Sequence, residues 1–151
     1  MKDLLEVTRT NRKLLEKMLD THNLDQLNTI PEGFSNNLIW NIAHVIVTQQ
    51  LLTYKLSNLP LMVDDQMVDT YRKGTKVEGK VSQEEVEKIR ALLFSTIDQT
   101  EKDLEANVFS KFEEYPTSTG FVLKSIKDAI NFNNFHEGIH FGYILALKKS
   151  L

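Results

Sequence analysis

The sequence contains no cysteine. That excludes disulfides, thiolate zinc sites and a cysteine nucleophile together, so any thiol chemistry must use a thiol from outside the chain. Proline and glycine are scarce, with 3 and 6 residues, and no segment is of low complexity. Basic residues show no excess: 18 Lys and Arg face 21 Asp and Glu, a net charge of −3. No basic face for nucleic acid is evident. A long hydrophobic run is also missing. The longest apolar stretch, Leu38 to Val47, is broken by Asn41 and His44 and is too short to span a bilayer. The N-terminus, Met-Lys-Asp-Leu-Leu-Glu, has early acids and no apolar signal core, which predicts a cytoplasmic protein without membrane attachment.

What is present points to one folded domain. The 151 residues are 41% hydrophobic and 26% charged, enough apolar content for a core and too little charge imbalance for disorder. Apolar residues recur at helical spacing in four segments, about 2–20, 36–57, 82–106 and 121–149. Ser35 is a candidate cap for the second. Ser82 with Glu85 forms a capping box at the start of the third. The second helix is apolar nearly all round and should be buried on most sides. No convincing strand pattern appears. The expected fold class is all-α, a four-helix bundle.

The chemistry lies in His136-Glu137-Gly138-Ile139-His140. Histidines four residues apart share one helix face and can reach one metal ion. The letters also match the H-E-x-x-H zinc-protease signature. That reading does not fit: the eleven residues after His140 contain no His, Asp or Glu, and Tyr143 and Ala146 stand where the extended motif needs Gly and His. His44 offers a third ligand from the second helix. Its depth in that helix matches the depth of the pair in the fourth only if the two helices run antiparallel; run parallel, they would miss by about 12–15 Å. An antiparallel pair requires an up-down-down-up order with a long crossover between the second and third helices, and the longest connector, 58–81, falls there.

Three stretches then carry a family likeness: Ser35 to His44, Tyr71 to Thr75, and His136 to Ile144. Together they resemble the DinB-like (YfiT-like) superfamily of metal-dependent bundles, and the likeness covers essentially the whole chain. The resemblance implies an up-down-down-up four-helix bundle. It also implies a divalent metal, zinc or nickel, on His44, His136 and His140, and often a homodimer. Characterised relatives include thiol-dependent S-transferases and an isomerase that use low-molecular-weight thiols. Tyr143 stands where the family often has glutamine.

Three neutral imidazoles leave a coordination position open, as catalytic sites do. The expected function is a metal-dependent enzyme activating a low-molecular-weight thiol or water against a small electrophile; the alternative is a non-catalytic metal-binding bundle. Asn41 and Asn133, each three residues before a proposed ligand, are candidates to orient the imidazoles. Trp40 and Tyr143 are candidate pocket walls. Glu137 is the candidate catalytic carboxylate, with an exposed residue or salt-bridge partner as its plainer role. Phe132, Phe135 and Phe141 read as packing. Arg72 and Lys73 read first as an exposed loop pair and second as contacts for an anionic substrate.

Overall fold

A computed structural model of the chain describes residues 2–151. Its helices are α1 (Lys2–Thr21), α2 (Leu24–Asn28), α3 (Leu38–Thr53), α4 (Asp65–Tyr71), α5 (Gln83–Glu105) and α6 (Ile126–Leu147). Two-residue strands β1 (Tyr115–Pro116) and β2 (Val122–Leu123) pair antiparallel just before α6. The protein is all-α apart from this ribbon, as its sequence predicts. Among the described residues no helix is long and apolar enough to cross a membrane.

Caps set the ends of the helices and correct several expected boundaries. Asn37, not Ser35, caps α3, its side chain accepting from the Trp40 N–H. The α-helical part of α3 stops at Thr53, and a 3-10 turn at Lys55–Ser57 leads to Asn58 in the left-handed region. Ser125 caps α6, so that helix starts at Ile126 instead of 121. The residues just before it pair in the ribbon, which is too short to show any alternation. Ser82 caps α5 as expected, accepting from the Glu85 N–H, but the expected box is only half formed, because the Glu85 carboxylate accepts from the Tyr71 hydroxyl and not from the Ser82 N–H. The long connector 58–81 is not bare loop: it holds α4, capped by Asp64.

Contacts give the relative directions of the long helices. Along α3, Asn41 and His44 meet His140 and His136 of α6 in turn, so these two run antiparallel. Thr8 meets Asn134 and Arg12 meets Glu137, so α1 and α6 run parallel. Arg9 pairs with Glu101 and Asp20 with Arg90, so α1 and α5 run antiparallel. Gln49 bonds Thr100 and Tyr54 bonds Asp103, so α3 and the segment after it follow α5. Helix α3 is the central element. Ile42, Ala43, Val45, Ile46 and Val47 are fully buried, against Leu15 of α1, Ile89 and Leu93 of α5 and Ile144 of α6. Each Val, Leu or Ile among them, removed from water, stabilises the fold by roughly 1.5–3 kcal/mol. A second cluster, Leu52, Leu56, Phe112, Leu123, Ala129 and Phe132, fastens the ribbon to the far end of α3 and the start of α6.

Candidate metal centre

Because α3 and α6 are antiparallel neighbours, His44 lies at the level of His136 and His140. Ring centroids are 5.1 Å apart for His44 and His136, 4.6 Å for His44 and His140, and 4.5 Å for His136 and His140. One nitrogen from each ring falls within 4.8 Å of the other two. Among the described residues this is the only such group of three potential ligands.

Hydrogen bonds decide which nitrogen each ring offers. His44 Nδ1 is 2.6 Å from the Tyr71 carbonyl, which can only accept. Nδ1 therefore carries the proton and Nε2 keeps its lone pair. His140 Nδ1 is 2.8 Å from Asn41 Oδ1. The Asn41 amide is itself fixed, since its Nδ2 donates to Asn36 Oδ1 and to the Asn37 carbonyl. His140 Nε2 is thus also a free acceptor. His136 Nε2 lies 3.2 Å from His44 Nε2, while its Nδ1 is buried without a protein partner. In the metal-free molecule His136 can satisfy this close pair as the Nε2–H tautomer. A cation between the rings would replace that proton, with the proton moving to Nδ1 or to solvent.

Electrostatics favour the ligand form. Burial lowers the pKa of all three rings, to about 3 for His136 and about 4 for His140. Neighbouring rings add to the shift at His136 and His140, and Arg12 and Lys73 add to it at His136. All three are neutral at pH 7. Neutral, pre-oriented imidazoles with converging lone pairs fit a divalent cation. They suit zinc, nickel, copper or iron by ligand type.

The other expected site residues divide. Trp40 stacks on His44, with centroids 4.7 Å apart and planes 10° from parallel, and its Nε1–H donates to Thr75 Oγ1. Asn41 orients an imidazole, but that of His140 across the helix interface and not that of His44 on its own helix. Asn133 forms no hydrogen bond to a histidine among the described residues: its Nδ2 donates to Glu137 Oε1. Tyr143 packs edge-on against Phe34, 5.5 Å away, and does not line the cavity. Glu137 departs furthest from its expected role. It is fully buried, and its Oε1 accepts from Arg12 Nε and Nη2 at 3.1 and 2.8 Å. One position after His136 rotates a side chain by about 100°, which turns Glu137 from the histidines toward α1. It is a salt-bridge partner in the core.

The histidines open on a cavity of about 570 Å³. Phe132 and Phe135, expected only to pack, form part of its wall. Two contributors carry no side-chain signal for their role, although Tyr71 lies in one of the three family-like stretches. The Tyr71 carbonyl is backbone, and any residue type supplies one. Lys55 lies beyond the end of α3, outside any motif. Thr48 could have been found: it sits one turn after His44, with Oγ1 3.3 Å from His44 Nε2.

No curated protein matches the sequence. The family model of the DinB superfamily matches residues 8–144, a span that includes α3, α6 and all three histidines. On that match, and with its clustered histidines, the chain belongs to the DinB superfamily, a metal-binding family.

Proposed function

We propose that the protein is a metal-dependent enzyme in which His44, His136 and His140 hold one divalent ion, zinc or nickel, at the end of a substrate cavity. The observation that carries this reading is the position of the three converging nitrogens. They face a cavity of about 570 Å³, within the range of small-molecule sites, whereas a structural metal is closed in by its own ligands. When bound, the ion would supply Lewis acidity that ionises a thiol or a water for attack on a small electrophile. The chain's own residues orient and enclose. Tyr71 and Asn41 hold two rings in the ligand tautomer, and Trp40 walls the site. With no cysteine in the sequence, a low-molecular-weight thiol would come from solution. The same reading treats the four long helices as one up-down-down-up bundle domain, supported by their pairwise directions.

A non-catalytic metal-binding role is the second reading. It is favoured by the absence of any carboxylate from the cavity lining among the described residues, which leaves no acid–base residue of that type. Metal analysis of protein made without a histidine tag tests the ligand set. About one equivalent is expected for the wild type, and a loss in His44→Ala, His136→Ala and His140→Ala. Full retention in all three overturns the site. Zinc- or nickel-loaded protein is then assayed with a panel of thiols and electrophiles. Turnover that disappears in His140→Ala supports the enzyme, and no turnover across the panel favours the second reading.

A further inference from the structure

The cavity wall has a chemical bias of its own. Away from the histidines it is built mainly of Leu51, Leu52, Leu56, Phe132, Phe135 and Ile139. Among the described residues its only charged lining side chains are Lys55 and Lys73. Among the described residues neither lysine forms an ion pair. In a chain of net charge −3, this is a local reversal of sign that draws anions to the opening.

The two lysines mark opposite ends. Lys73 follows Tyr71, whose carbonyl touches His44, so it belongs to the histidine end. Lys55 lies eleven residues after His44, about 16 Å further along a helical path. The ribbon is docked beside Lys55: the Glu113 N–H donates to the Leu56 carbonyl, and Asn58 Nδ2 donates to Glu113 Oε1. That bond engages Glu113, which does not line the cavity. The turn of the ribbon adds the Ser118 hydroxyl to the lining. A single ammonium, without an arginine fork to grip two oxygens, suits a monoanion better than a phosphate.

We propose that the cavity takes an elongated apolar molecule bearing a carboxylate at the end remote from the histidines, held there by Lys55. The assignment of a reacting end rests on the proposed metal function; the preference for a carboxylate at Lys55 does not. Octanoate, octanol and octylammonium serve as matched probes in calorimetric titrations of metal-free, full-length protein, where a carboxylate cannot bind an ion instead. Octanoate is expected to bind about tenfold more tightly than either of the others, as one charge-assisted hydrogen bond provides. Lys55→Gln should abolish that preference and Lys73→Gln should leave it within about twofold, both variants keeping the melting temperature because both side chains are exposed. Equal binding of octanoate and octanol overturns the proposal, as does an undiminished preference in Lys55→Gln. Loss of the preference in Lys73→Gln alone overturns the orientation. Because these titrations contain no metal, their outcome is independent of the metal analysis, and failure of one reading is distinguishable from failure of the other.

Discussion

Arg12 and Glu137 are both fully buried, and their charges meet in the core between α1 and α6. Arg12 and Asn133 both donate to Glu137 Oε1, while Oε2 is buried with no partner among the described residues. Removing one partner leaves a buried charge uncompensated. Glu137→Ala is therefore expected to destabilise the protein by roughly 3–5 kcal/mol in denaturant unfolding. Replacing both partners, Arg12→Leu with Glu137→Leu, should recover more than half of that loss, since apolar pairs often replace buried ion pairs without net cost. A single variant of wild-type stability would show that the pair does not hold the core. His136 and His140 were legible because their shared face follows from local spacing alone. Glu137 was not, because its partner lies 125 positions away and nothing within the motif says which side of α6 faces α1. The same limit applies to Asn41, whose sequence neighbour is His44 but whose spatial partner is His140.

At the level of elements, α4 and the turn after it meet the candidate metal centre through backbone. The Tyr71 hydroxyl donates to Glu85 Oε1, which ties the end of α4 to α5. Thr75 Oγ1 has one proton to share between the Thr70 and Arg72 carbonyls, both within reach, and accepts from Trp40. Between them Gly74 has φ +88, and a Cβ there would meet nothing within 4 Å. Gly74→Ala thus introduces backbone strain without a clash, costing about 1–2 kcal/mol. If the turn positions the Tyr71 carbonyl against His44, metal affinity in chelator competition should fall by about tenfold, the lower range for lost orienting partners. A stability loss with unchanged affinity would uncouple the turn from the site. The long helices were readable from periodicity over many turns. Helix α4 was not, being seven residues of mixed polarity, and neither was the ribbon, whose two-residue strands carry no pattern. Helix ends depended on which of several neighbouring polar residues took the cap, a choice between Ser35 and Asn37 that sequence alone leaves open.

Across the whole molecule, the three neutral imidazoles, His44 buried and His136 and His140 half-buried, link stability to pH. In the unfolded chain histidine titrates near 6.5; in the folded metal-free protein His136 and His140 hold out to about 3 and about 4, and His44 is shifted the same way. Between those values the unfolded state binds more protons, so lowering the pH favours unfolding. The contribution is fully present above about pH 6.5 and is lost progressively as the pH falls toward the folded-state values. Each ring that stays unprotonated steepens the decline by about 1.4 kcal/mol per pH unit. A bound ion occupies the same lone pairs and adds stability by mass action, about 2.7 kcal/mol at a hundredfold excess over its dissociation constant. Protons and metal compete, so this increment must also shrink in acid. Melting temperatures measured from pH 7.5 to 4.5, with and without chelator, should form two curves that both fall and that converge at the acid end. The metal-free protein should remain helical at pH 7.5, because its core is aliphatic and independent of the ion. Replacing His136 and His140 together by glutamine should flatten the metal-free curve and abolish the gap between the two. A wild-type curve that is flat between pH 6.5 and 4.5 would contradict burial of neutral imidazoles, and a chelator that unfolds the protein at pH 7.5 would make the metal structural.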